Sequence, residues 1–345
     1  MANNIESSII SYLGNHPERS SKDIFDGIGT DLSYATVKRH LAKLIAENKI
    51  IVQGQKKSAK YSVSPTYKVF VPIDLDAYFL NEIDDREIID SYNFNLLNTL
   101  SGIPLFTESE HQKLTELQKQ FTNNISHLSK AEYSKEMERL AIDLSWKSSQ
   151  IEGNTYSLLE TERLLTEKKT AAGKTKDEAV MLLNHKEAID FLVENPDYLQ
   201  PLSVGKIENI HSILIQELAV DRNIRNRRVG ITGTNYRPLD NEFQIREALE
   251  GVCQAVNDRQ DIFEKALLLL VLISYIQPFN DGNKRTARIV SNAELMANRY
   301  CPISFRTVDS IDYKKAMLLF YEQNNISAFK QIFIEQFEFA VTTYF

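Results

Sequence analysis

From Ala266 to Ile276 the chain is almost wholly apolar, and then Gln277-Pro278-Phe279-Asn280-Asp281-Gly282-Asn283 leads straight into Lys284-Arg285-Thr286-Ala287-Arg288. A run this short falls well below the roughly 20 residues needed to cross a bilayer, so it reads as a helix buried inside a core. Pro278 ends that helix, the glycine-containing turn reverses the chain, and a second helix starts near Asn283. The unpaired backbone N–H groups at the start of that second helix therefore gather in one concavity, a nest suited to phosphate oxygens. Phe279 is placed to anchor the turn, and Asp281 offers a hard carboxylate oxygen that suits Mg²⁺ bridging phosphates. Arg285 and Arg288, three residues apart, share one helix face and can reach the same anion.

The 345 residues around this turn call for two or three units. With 43% hydrophobic and 25% charged residues the composition is that of an ordinary globular chain, which excludes collagen-like and low-complexity classes. The N-terminus carries Glu6 where a secretion signal wants positive charge, and no membrane span is found, so a cytoplasmic protein is expected. Cys253 and Cys301 lack CxxC or CxxH spacing, which suggests neither a disulfide framework nor a zinc site. The net charge of −7 is uneven. Residues 1–65 hold nine Lys/Arg against six Asp/Glu, a net +3, and the remainder is −10. Any contact with a polyanion is thus expected at the head.

In the head, Ile5, Ile9, Ile10 and Leu13 recur at helical spacing before Gly14-Asn15. Ser20 or Ser21 can cap a second helix with Ile24 and Phe25, and Ser33 starts a third whose buried face carries Val37, Leu41, Leu44 and Ile45. Ile50-Ile51-Val52, the basic tip Gly54 to Lys60, and Tyr61-Ser62-Val63 form a hairpin. Three helices followed by a two-stranded wing resemble a winged helix-turn-helix. That arrangement puts the third helix in the major groove with Ser33, Tyr34, Thr36, Lys38, Arg39, His40 and Lys43, while Lys56, Lys57 and Lys60 reach phosphates. The alternative for such a module is a protein contact.

From Thr66 to about Leu80 an extended linker is expected, broken by Pro72, and then helical periodicity takes over in Ser109–Leu128 and Ser134–Ser149. The second of these ends in Ser148-Ser149-Gln150-Ile151-Glu152-Gly153. A carboxylate at a helix C-terminus is electrostatically unfavourable, so Glu152 either has a cationic partner elsewhere or sits on a solvated helix end.

The run from Gln277 to Arg288 resembles the Fic signature HPFx(D/E)GN(G/K)RxxR at every defined position except the first, where Gln277 stands for histidine. Ser148, Glu152 and Gly153 resemble the (S/T)xxxE(G/N) inhibitory motif of one Fic class, and Arg225–Leu239, with Ile231, Gly233 and Tyr236, resembles the family's flap hairpin. The resemblance spans roughly Ser148 to Tyr321 and includes helices around Asn184 and His211, the latter read as a packed residue. It implies a mainly α fold: a Fic helical bundle with a small β-hairpin flap, behind the winged helix. The units would be residues 1–65, a linker and helical region 66–133, and a Fic domain 134–345 with an inhibitory helix 134–153. By the same resemblance ATP is the nucleotide, Gly282 and Asn283 hold its α- and β-phosphates, Arg285 orients them, Arg288 meets either the γ-phosphate or Glu152, and Asp281 takes Mg²⁺. The activity implied is AMP transfer to a Ser, Thr or Tyr hydroxyl of a target protein docked at the flap, with DNA at residues 1–65 and a homodimer as further partners. The alternative is a catalytically silent, nucleotide-sensing transcription regulator. Gln277 bears on that choice, because an amide does not titrate whereas imidazole does near neutral pH. A positioned base is worth about 10²–10⁴ in rate. Lys284, in the glycine position, adds a cation near the phosphates.

Overall fold

The structure, a computed structural model, describes residues 2–345, except that the side chains of residues 2–4 and of Lys57 lie outside the described residues. Two compact units separate near Pro72, the first also taking in Gln323–Ser327. In the first, α1 (Ala2–Asn15), α2 (Ser21–Gly27) and α3 (Tyr34–Ala46) precede an antiparallel ladder of β1 (Ile50–Gln53) and β2 (Lys60–Val63), with Ile50 opposite Val63 and Gln53 opposite Lys60. Ser20 closes a capping box with Asp23, and Ser33 accepts from the Thr36 N–H, which fixes where α2 and α3 begin. Ile5, Ile9, Leu13, Ile24, Val37, Leu41 and Leu44 meet in one core, α1 and α3 contributing residues at three-and-four spacing and α2 contributing Ile24.

The expected extended linker is instead broken by two single-turn helices, α4 (Pro65–Lys68) and α5 (Leu75–Tyr78). Pro65 sits in the first turn, where its missing N–H costs nothing, and Asp74 caps α5 by accepting from the Ala77 N–H.

The second unit is helical: α6 (Leu96–Ser101), α7 (Glu108–Ser126), α8 (Lys130–Ile151), α9 (Leu158–Glu167), α10 (Lys176–Glu194), α11 (Val204–Leu214), α12 (Glu242–Asp258), α13 (Ile262–Ile276), α14 (Asn283–Ala297), α15 (Ser310–Gln323) and α16 (Ser327–Thr343). Four of these starts are capping boxes of the form S/T-x-x-E: Thr107 with Glu110, Ser129 with Glu132, Ser157 with Glu160 and Thr175 with Glu178. The box at Ser129 starts α8 four residues before Ser134. The apolar run forms α13, in which every residue from Ala266 to Ile276 is buried. α12 and α14 pack against α13, Ser291 of α14 donating to the Ala266 carbonyl at 2.8 Å, and α8, α10 and α11 pack on α14. No helix of the described residues is long and apolar enough to cross a membrane. Cys253 and Cys301 are buried, free thiols.

The segment Arg225–Leu239 turns at Thr232-Gly233 but forms no strand ladder with itself; β1 and β2 make the sheet among the described residues. Its polar groups go elsewhere. Arg86 donates to the Gly233 carbonyl at 2.6 Å, Arg237 N–H donates to the Asp90 carbonyl, and Tyr236 is buried, its hydroxyl donating to the Tyr275 carbonyl at 3.1 Å. Those contacts replace the cross-strand bonds a hairpin needs, and they make Tyr236 an anchor and not part of an open edge.

Candidate functional site

The turn between α13 and α14 is built from its own side chains. Gln277 ends α13 in the left-handed region (φ 52°), and Gly282 (φ 80°) turns the chain into α14. Asn283 then staples the turn shut: its Oδ1 accepts from the Phe279 N–H at 2.8 Å, and its Nδ2 donates to the Phe279 carbonyl at 2.8 Å and to Gln277 Oε1 at 3.1 Å. Phe279, fully buried, stacks on His211 of α11 with ring centroids 3.6 Å apart. His211 Nε2 lies 2.9 Å from the Asp281 carbonyl and Nδ1 3.3 Å from that of Arg222. Burial pushes His211 down to about 4, so at neutral pH the ring carries one hydrogen and donates to one carbonyl at a time. From the other side Arg225 clamps the turn, donating Nε to the Gln277 carbonyl at 2.6 Å, Nη1 to that of Arg227 at 2.8 Å, and its backbone N–H to that of Pro278 at 3.0 Å.

What this leaves is a helix start with no side-chain cap: Gly282 has none to offer, so the first-turn N–H groups of α14 are open. Gly282, Asn283 and Lys284 at this start line a cavity of about 460 Å³, a volume suited to a small molecule, bounded also by Ile151 and Glu152, by Val229–Thr232, by Gln277, Asn280 and Asp281, and by Lys314, Met317, Leu318 and Tyr321 of α15. Asp281 Oδ1 accepts from the Gly282 N–H at 2.6 Å and Oδ2 from Arg285 Nη2 at 3.1 Å. Arg285 is 1% exposed, and its Nε and Nη1 have no hydrogen-bond partner among the described residues. A buried guanidinium with open donors is costly unless an anion or water completes it.

Above the turn stands the end of α8. Glu152, its C-cap, puts Oε1 2.7 Å from Arg288 Nη2 and Oε2 2.9 Å from Lys284 Nζ. Arg288 is held further by Ser148, donating Nε to its hydroxyl at 2.9 Å and Nη2 to its carbonyl at 3.0 Å, and the Ser148 hydroxyl also meets His185 Nε2 at 2.7 Å. Burial pushes Glu152 up, but Arg288 and Lys284 outweigh it and hold the carboxyl at about 2. The carboxylate at a helix C-terminus thus has the cationic partner its position calls for.

Residues 201–295 match the Fic/DOC family model. That stretch takes in α11 to most of α14, including the stapled turn, and it supports a Fic/DOC domain in this chain. The protein adenylyltransferase Fic of Nematostella vectensis is 31% identical over 182 residues, which cover 49% of this chain and 40% of that protein. The protein adenylyltransferase fic-1 of Caenorhabditis elegans is 27% identical over 161 residues, 44% of this chain and 31% of the relative. The chain therefore spans less than half the length of these relatives. Among solved structures, Fic-1 from C. elegans superposes with a TM-score of 0.60 at 19% identity, covering 72% of this chain and 80% of that one. A Fic domain containing signaling protein from Bacteroides thetaiotaomicron gives 0.57 at 18%, covering 67% and 95%. These likenesses establish a Fic fold in a mainly helical protein.

The residues singled out from sequence fall into two layers. Gln277, Asp281, Gly282, Asn283, Glu152 and Ile231 line the cavity, whereas Arg285 and Arg288 lie buried outside its lining. The Asn283 side chain is held inside the turn by its bonds to Phe279. Gln277 is also bound on both sides: Nε2 donates to the Ser274 carbonyl at 2.6 Å and Oε1 accepts from Asn283. Gly153 follows Glu152 with φ 99°, the C′ conformation that lets the chain leave α8. His211, expected to be a packed residue, is one, its ring lying beneath Phe279; sequence reasoning missed Arg225 as the clamp, because it acts through backbone carbonyls that carry no sequence signal. It also missed Lys314, whose place at the cavity follows only from the packing of α15.

Asp281, 64% exposed, sets a single carboxylate at the cavity wall, the number that a magnesium ion completing its shell with substrate phosphates would need. No group of three or more His, Cys, Asp or Glu suited to a metal occurs among the described residues.

On the first unit, Lys38 lies over the Tyr34 ring at 4.9 Å and Arg39 donates to Thr36 Oγ1 at 3.2 Å, both residues exposed on α3. Lys43 is paired with Glu6 at 2.8 Å and Glu47 at 3.7 Å, so its charge is largely answered within the unit. Lys56 sits at the hairpin tip with φ 51°. The side chain of Lys57 lies outside the described residues.

Proposed function

We propose that the chain is a Fic-type nucleotide-binding protein, similar to protein adenylyltransferases, in which Glu152 holds the site shut. The observation that carries this reading is the Glu152–Arg288 bridge at 2.7 Å, placed at the wall of a cavity floored by Asp281, Gly282 and Asn283. The open N–H groups of α14 would take the α- and β-phosphates of ATP, Arg285 would supply its open donors, and Arg288, once released by Glu152, would meet the γ-phosphate. Mg²⁺ held through Asp281 would neutralise charge on the phosphates. In transfer, a target hydroxyl oxygen bonds to the α-phosphorus, the bond to pyrophosphate breaks, and the hydroxyl proton needs an acceptor.

Gln277 cannot be that acceptor, since its amide has no basic lone pair and both its polar atoms are already bonded within the turn. This supports the second reading: a silent nucleotide sensor whose first unit, three helices and a two-stranded wing, binds DNA through Lys38, Arg39 and Lys56. Label transfer from α-³²P-ATP with Mg²⁺ tests the two. Glu152→Gly alone is inactive or slow, and Glu152→Gly with Gln277→His is active if the site is a disabled transferase. Absence of label in both, with ATP binding intact, would leave the sensor reading; absence of ATP binding would remove both.

A further inference from the structure

Glu152 is held by two cations that are not equivalent. Arg288 is fully buried, outside the cavity lining, and fixed by three hydrogen bonds to α8, two of them to Ser148. Lys284 is 25% exposed, lines the cavity, and has Glu152 Oε2 as its hydrogen-bond partner among the described residues. The two stand four residues apart on the first turns of α14, so they rise on one face toward the same carboxylate. A fully buried arginine held through Nε and Nη2 does not move readily, whereas an ammonium on a flexible four-carbon stem swings at little cost.

Any polyphosphate seated at the start of α14 brings several negative charges beside Glu152, and Lys284 is the cation standing between them. We infer that Lys284 is an exchange residue, paired with Glu152 when the cavity holds no polyphosphate and passing to the β-phosphate when one binds, so that it sets both the strength of the lock and the preference for di- and triphosphates over monophosphates. The inference rests on the nucleotide-binding reading above and goes beyond it by giving Lys284 a role the Glu152–Arg288 pair does not need. Its consequence is that ligand and lock compete for one ammonium. In the wild type, the gain of a phosphate contact is offset by loss of the Glu152 contact. Without Glu152 the gain is whole.

Calorimetric titration of ADP and of AMP, with Mg²⁺, into four proteins tests this: wild type, Lys284→Met, Glu152→Gly and the double variant, each first shown to melt cooperatively. Lys284→Met is expected to weaken ADP about tenfold in the Glu152→Gly background and less than about twofold in the wild type, with AMP little changed in both. Lys284→Arg, which keeps the charge, restores most of the ADP affinity. An equal loss in both backgrounds, or none in either, overturns the exchange while leaving nucleotide binding standing. ADP binding to none of the four overturns the nucleotide reading and the exchange with it.

Discussion

Replacing Glu152 with Gln keeps the side-chain shape and removes the charge that lies between Arg288 and Lys284. Two routes give the cost. The drop of Glu152 from its ordinary 4.5 to about 2 corresponds to about 3 kcal/mol of preference for the ionised form in the folded state. Leaving a fully buried guanidinium without its partner costs about 3–5 kcal/mol, reduced here because Ser148 still accepts two of its hydrogen bonds. Both point to about 3 kcal/mol for Glu152→Gln. The sole tryptophan, Trp146, lies on α8 one and a half turns from Glu152 and donates to the Tyr156 carbonyl at 3.0 Å, so its fluorescence follows the second unit in urea. The pH dependence carries the sign. A carboxyl held low contributes stability that is complete above about 4.5 and lost as pH falls toward about 2, so about 2 kcal/mol is gone by pH 3 in the wild type and none of it in Glu152→Gln. Equal urea midpoints at pH 7, or parallel acid slopes for the two proteins, would refute the reasoning.

Three further outcomes are expected. Arg225→Met removes the donors to the Gln277 and Arg227 carbonyls, lowering stability by about 2–4 kcal/mol in urea and weakening ATP binding, because the turn 276–278 loses its clamp. Ser148→Ala leaves Arg288 Nε unpaired and costs about 1–3 kcal/mol, while ATP binding tightens in calorimetry as the Glu152 lock loosens. On the first unit, Lys38→Ala and Arg39→Ala each reduce the slope of log affinity for duplex DNA against log salt by about one, measured by fluorescence anisotropy, whereas Lys43→Ala changes it little because Glu6 and Glu47 already answer its charge.

Much of this arrangement is legible in the sequence, for reasons that are local. The run Ala266–Ile276 fixes a buried helix and Pro278 with Gly282 fixes the turn after it, whereas the expected start at Ser134 passes over the Ser129 box that begins α8. The pairing of β1 with β2 follows from two short strand-forming runs, Ile50-Ile51-Val52 and Tyr61-Ser62-Val63, either side of a Gly-containing tip. What was illegible depends on distance in space. Nothing in Arg225 announces that its guanidinium reaches carbonyls 50 residues away, and the segment after it has the alternation of a hairpin while its polar groups are satisfied by Arg86 and Asp90, which no local pattern foretells. The cationic partner of Glu152 was foreseeable from the helix-end argument together with the resemblance. That Lys284 shares the carboxylate was not, since position 284 was read as facing phosphate.

The account turns on whether the open start of α14 is a polyphosphate cradle kept closed by Glu152. Calorimetry of ATP with Mg²⁺ measures this directly. Binding is expected to be weak in the wild type, about tenfold or more tighter in Glu152→Gly, and lost when Gly282→Val is added, since that backbone sits at φ 80° and a side chain there would press on His211 at 3.4 Å. Equal affinity in all three folded proteins, or no binding to Glu152→Gly, would contradict it.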